Sequence, residues 1–150
     1  MEGIKLMLYQ QCEAFIKERI KTASTALQQA RAASNDDTKS SAGDKFETSR
    51  EMMQQEIDRN MRLLMDAEEN ERNLHALETI PFSESVRNGS LVVTDQGIFY
   101  LSISAGQLKI EGMVYFAISS ASPIGKALLG KQKGDKVEFN GRKYLIKEVG

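Results

Sequence analysis

Cysteine and histidine are nearly absent from this chain of 150 residues; Cys12 and His75 are the sole examples. A single cysteine excludes an internal disulfide, and one of each provides no Cys/His cluster for zinc. Cys12 therefore reads as a packed small hydrophobe. No run of about 18 apolar residues exists, so no membrane-spanning helix is expected. Met1 to Gln10 is too short and too mixed for a secretory leader, and the expected location is the cytoplasm. Excess charge is lacking as well: 20 Lys and Arg against 21 Asp and Glu leave a net charge of -1. Near-neutrality argues against a protein whose main work is to coat nucleic acid. At 41% hydrophobic and 27% charged residues, the composition is ordinary for a soluble protein and argues against wholesale disorder.

The balanced total conceals two unlike halves. Residues 1–78 carry 11 Lys and Arg against 15 Asp and Glu, whereas residues 79–150 carry 9 against 6. Glycine and proline are missing from Ile4 to Ala33, where Leu8, Cys12, Ile16, Ile20, Ala23, Leu27 and Ala30 recur at gaps of three or four. That spacing predicts an amphipathic helix. Phe46, Met53, Ile57, Met61, Leu64, Ala67, Leu74 and Leu77 repeat the pattern in a second uninterrupted stretch. Two helices of about 30 residues would each be roughly 45 Å long. With one apolar stripe apiece and no third helix to cover them, they are expected to pair as an antiparallel, coiled-coil hairpin over residues 1–78. Ser34 to Asp44, "SNDDTKSSAGD", is rich in turn residues and is the expected tip loop. Four methionines between Met52 and Met65 suit an adaptable helix seam. His75 has no neighbouring ligands in sequence and reads as structural or surface.

From Ile80-Pro81 onward the period changes to two. "GSLVVTD" and "GIFYLSI" read as strands joined around Asp95-Gln96-Gly97, "MVYFAIS" as a third, and "DKVEF" with "KYLIKEV" as a hairpin across Asn140-Gly141. Five short strands and one helical turn at Ile124 to Leu129 give a small α+β domain over residues 79–150.

Two segments carry a resemblance to a known family. "SPIGKALLGKQKGDKVEF", Ser122 to Phe139, is similar to the run that precedes the last strands in the carboxy-terminal domain of the bacterial Gre transcript-cleavage factors. "AGDKFETSREMM", Ala42 to Met53, resembles the acidic G-D-x-x-E tip of that family's helical hairpin, and the two segments occur in the family's order. The resemblance implies an α+β protein with an amino-terminal helical hairpin followed by an FKBP-like domain. It also implies RNA polymerase as partner: the head grips the rim of the secondary channel and the arm reaches inward, meeting nascent RNA only indirectly. Asp44 and Glu47 would then help to hold a Mg²⁺ ion beside the polymerase's own aspartates during cleavage of backtracked RNA. Pro123, Ile124 and Lys126 would belong to the gripping surface.

The residues allow other readings. Asp44 and Glu47 are three apart on the first turn of a helix, so their carboxylates share a face. The same spacing makes a capping box, and a capping carboxylate keeps lone pairs for other partners. Two carboxylates are too few to retain Mg²⁺ alone. The pair is therefore expected to act as half of a site that a partner completes, with no tightly bound ion and no catalysis by the isolated chain. Thr48 stands where the Gre pattern has Asn, Phe46 lies between the acidic residues, and Asp36 and Asp37 add charge to a longer loop. In the head, Pro123 can open a helix at its first position, with Ile124, Leu128 and Leu129 as core. Lys126, Lys131 and Lys133 form a loose basic cluster that fits either a solvated face or an acidic partner. A non-catalytic regulator occupying the same channel is the alternative function, and a prolyl isomerase or chaperone is a weaker one, since fold alone does not transfer activity.

Overall fold

The computed structural model describes residues 2–40 and 44–150; the side chains of residues 36–48 are not among those described. Two long helices come first, α1 (Glu2–Ser40) and α2 (Asp44–Ala76), and a 3-10 turn follows at Leu77–Thr79. Leu8, Cys12, Ile16, Ala23 and Leu27 are buried along α1, as their spacing predicts. The helices run antiparallel. The His75 Nε2 lies 3.4 Å from Glu13 Oε2 and the Tyr9 hydroxyl donates to Glu78 Oε1 at 2.7 Å, so residue numbers fall on one side as they rise on the other. His75 thus has an acidic neighbour that its place in the sequence does not reveal.

Two expectations for the arm are corrected. α1 continues past Ala33 to Ser40, through the first part of the expected tip loop. Ser, Asn and Asp are mediocre helix formers but not breakers, and Gly43 is the first glycine after Gly3. The remainder of that loop, residues 41–43, lies outside the described residues. On α2 the buried stripe passes through Asn60, 4% exposed, and leaves Met61 37% exposed. Asn60 tolerates the position because its Nδ2 donates to the Glu56 carbonyl one turn back at 2.9 Å, which satisfies a buried amide.

The head is a six-stranded mixed sheet in the order β3-β4-β2-β1-β6-β5. Its strands are β1 (Leu91–Thr94), β2 (Gly97–Leu101), β3 (Gly106–Ile110), β4 (Met113–Ile118), β5 (Lys136–Phe139) and β6 (Arg142–Val149), with α3 (Pro123–Leu128) between β4 and β5. Only the β2–β4 pair among them is parallel. Six strands replace the expected five. The additional one, β3, is an edge strand whose side chains are mostly exposed; its alternation, Gln107-Leu108-Lys109-Ile110, is short and brings only two apolar residues. Its turn into β4, Glu111-Gly112, has both residues at positive φ and is the signal that could have revealed it. The expected Asn140-Gly141 turn does form, with φ of 51 and 75, and pairs Phe139 with Arg142.

One face of the sheet carries the core cluster of Val92, Phe99, Leu101, Tyr144 and Ile146, closed by Leu128 from α3. The start of α1 also packs into the head. The Cys12 Sγ lies 3.6 Å from Ser102 Oγ, and Gln11 Nε2 donates to the Lys109 carbonyl of β3 at 2.9 Å. The contacts accordingly divide the chain into two compact units, residues 1–15 with 71–150, and residues 16–70.

Burial in the first unit leaves a mark on two phenols. Tyr100 is 2% exposed, and burial pushes its phenol well above its ordinary value, Cys12 adding to the shift. Tyr9 is pushed the same way by burial and then by its hydrogen bond to Glu78. A raised folded-state pKa means that the neutral phenol is favoured on folding. That stabilisation is complete below the unfolded-state value of about 10 and is lost as pH rises beyond it. Thermal unfolding followed from pH 8 to 11 should therefore show a melting temperature that falls steeply above about pH 10, and a shallower fall in Tyr100→Phe. An equally steep fall in that variant would show that Tyr100 is not responsible.

Candidate functional site

The arm and the head each contribute a candidate surface. At the tip, Asp44 is the first residue of α2 and Glu47 lies on the same first turn, as the three-residue spacing requires. Both side chains, with those of Asp36, Asp37, Phe46 and Thr48, lie outside the described residues. Among the described residues no group of three His, Cys, Asp or Glu could hold a metal ion.

The head surface is built around α3. Ser122 caps this helix, its Oγ accepting from the Gly125 N–H at 3.1 Å and donating to the Ser119 carbonyl at 2.6 Å. Pro123 occupies the first turn, where its missing N–H costs nothing. Gly125 is buried against the preceding turn: a Cβ there would stand 2.1 Å from the Ser119 carbonyl oxygen, so the sharp entry into α3 needs a residue without one. Beyond α3, Asp135 Oδ2 accepts from the Gln132 N–H at 2.8 Å. Gly134, at φ 92, donates to the Ile146 carbonyl at 2.8 Å. The Gly134-Asp135 pair thus serves as the turn that launches β5 beside β6. Segment 130–132 is held from the other side, with Val86 donating to the Lys131 carbonyl and Gly130 to the Val86 carbonyl, both at 2.8 Å.

Most of the "SPIGKALLGKQKGDKVEF" run therefore has architectural work. Leu128 is fully buried, and Ile124 is half-buried against the same cluster. Pro123, Lys126, Lys131 and Lys133 are exposed. Leu129, which helical spacing places with the core, is 39% exposed, because α3 ends at Leu128 and the chain turns out at Gly130 with φ 78. Around α3 the run leaves at the surface a small ridge of Pro123, the outer part of Ile124, Lys126 and Leu129. Pro123, Ile124 and Lys126 are the residues the resemblance implies for a gripping surface; Leu129, expected in the core, is exposed beside them in sequence because the apolar spacing continues past the helix end.

Residues 112–149 match the family described as "Transcription elongation factor, GreA/GreB, C-term". That span, about a quarter of the chain, takes in β4, α3, β5 and β6, and it includes the Ser122 to Phe139 segment on which the resemblance rests. No curated protein matches the chain. No helix among the described residues is long and apolar enough to cross a membrane.

Proposed function

We propose that this protein is an accessory factor of RNA polymerase that inserts its hairpin tip into the secondary channel and stimulates the polymerase's own cleavage of backtracked RNA. The observation that carries this reading is the GreA/GreB match over residues 112–149, on a chain whose amino-terminal half is an antiparallel helical hairpin with a Gly43-Asp44-x-x-Glu47 motif at the start of α2. In two-metal phosphodiester hydrolysis one ion supports the leaving oxygen and the other the attacking water. Asp44 and Glu47 would supply part of the shell of a Mg²⁺ ion whose other ligands belong to the polymerase. Head binding would come from Pro123, Ile124, Lys126 and Leu129.

The direct test adds the full chain to stalled, backtracked elongation complexes and measures release of short 3′ RNA fragments. Faster release than with polymerase alone supports the proposal. Binding to polymerase without faster release would instead make the protein a non-catalytic occupant of the channel. The ridge has its own test. Lys126→Glu and Leu129→Ser change exposed side chains, so each should weaken polymerase binding by about tenfold, equivalent to about 1.4 kcal/mol, while leaving the melting temperature within about 1–2 °C. Unchanged affinity in both variants would move the contact surface elsewhere.

A further inference from the structure

A cavity of about 330 Å³ opens in the unit that combines the start of α1, the 77–90 linker and β2. Its apolar wall includes Leu6 and Leu77, and its polar lining includes Lys5, Tyr9, Arg87 and Tyr100. We infer that this cavity binds a small molecule with an apolar or aromatic body and a single anionic group, such as a carboxylate, sulfonate or phosphate. The inference is separate from the polymerase reading, since neither the tip nor the α3 ridge takes part.

Three observations carry it. The first is size: about 330 Å³ falls within the range of small-molecule sites, which combine apolar walls with a few convergent polar groups. The second is the charge balance. Lys5 and Arg87 both line the cavity, and the acidic side chain beside them, Glu78, already accepts the Tyr9 hydroxyl at 2.7 Å. The ammonium of Lys5 is held below its ordinary pKa by burial, against an opposing effect of Glu2 that exceeds the smaller lowering by Arg87. An anion in the cavity would give the Lys5 ammonium and the Arg87 guanidinium a charge partner inside it. The third is an incomplete guanidinium. Arg87 Nη2 donates to the Pro81 carbonyl, with the Phe82 carbonyl at 3.4 Å, while its Nε is buried without a hydrogen-bond partner. A buried donor left unpaired is costly, and the guanidinium that carries it belongs to a residue lining the cavity.

Apolar surface alone would attract greasy molecules without regard to charge, so the test separates the two. The full chain is titrated with 8-anilinonaphthalene-1-sulfonate and, in parallel, with N-phenyl-1-naphthylamine, which has the same rings and no charge. Binding of the sulfonate at one equivalent, at least about tenfold tighter than the neutral amine, is expected from one charge-assisted contact. Lys5→Met should weaken the sulfonate by about tenfold and the amine little. Amide chemical-shift changes in the unaltered chain give a second readout that does not depend on any variant folding. They should centre on residues 5–9, 77–90 and Tyr100. Equal affinity for both dyes, no response to Lys5→Met, shifts centred elsewhere, or no saturable binding of the sulfonate would each overturn the inference.

Discussion

Asp44→Asn and Glu47→Gln are each expected to lower the stimulated cleavage of backtracked RNA by about a hundredfold while leaving polymerase binding nearly unchanged. Both changes keep side-chain size and most of the capacity to cap a helix, but remove the negative charge that a hard divalent cation requires of its ligands. A pure capping role predicts the opposite pattern: a small loss of helix stability, on the order of 1 kcal/mol or less, and no selective loss of cleavage. Asp36 and Asp37 provide the internal control. They lie on the last turns of α1, before residues 41–43, so Asp36→Asn and Asp37→Asn should affect cleavage much less. Loss at Asp36 or Asp37 with no loss at Asp44 and Glu47 would show that the longer tip has transferred the acidic role to the first helix.

The second large effect concerns the head. Leu128 is fully buried and joins α3 to the cluster formed by Val92, Phe99, Leu101 and Ile146. Leu128→Ala removes buried methyl groups and leaves a cavity, and should cost about 3 kcal/mol, within the range of roughly 2–5 kcal/mol for such truncations. Leu129→Ala, one residue on but 39% exposed, should change stability by less than about 0.5 kcal/mol. Urea denaturation of the full chain can measure both, because the chain has no tryptophan and its four tyrosines, Tyr9, Tyr100, Tyr115 and Tyr144, all lie in the unit that contains the sheet. Tyrosine fluorescence therefore reports that unit selectively. Equal costs for the two substitutions would contradict the assignment of Leu128 to the core and Leu129 to the ridge. If Pro123 and Lys126 on α3 contact polymerase as proposed, Leu128→Ala should also weaken that binding under conditions where the unit containing the sheet is only marginally folded.

How much of this was legible in the sequence differs from element to element. The helical hairpin was legible because a three-to-four spacing without Gly or Pro leaves the chain few alternatives. Its finer seam was not: the buried place taken by Asn60 reads as polar, and only the backbone carbonyl of Glu56 makes it acceptable there. Strands with a richer apolar content were found, whereas β3 escaped because its alternation, Gln107-Leu108-Lys109-Ile110, is short and brings only two apolar residues to an exposed edge. In the Ser122 to Phe139 run the letters pointed to a family, but the roles of Ser122, Gly125 and Asp135 needed three-dimensional neighbours, since each acts on backbone groups across a turn. The cavity beside Lys5 and Arg87 had no signal at all. Its residues come from opposite ends of the sequence and share no spacing.

That the sheet-containing unit draws on residues 1–15 as well as 71–150 bears on how the protein is made. A ribosome adds about 5–20 residues per second, and domains commonly fold as they emerge. Here the segment containing Leu8 and Cys12 is synthesised first, yet its partner Ser102 follows about 90 residues later, and β1 gains its β6 neighbour only when residues 146–149 exist. The helices of residues 16–70 can meet through contacts within their own unit while the head is still being translated. During those seconds the first fifteen residues can meet the end of α2 and the turn after it, through His75 and Glu78, but not the sheet. Strains lacking nascent-chain chaperones should therefore accumulate aggregated protein, and Leu8→Ser should reduce that aggregation in short ribosome-bound chains even as it weakens the finished fold.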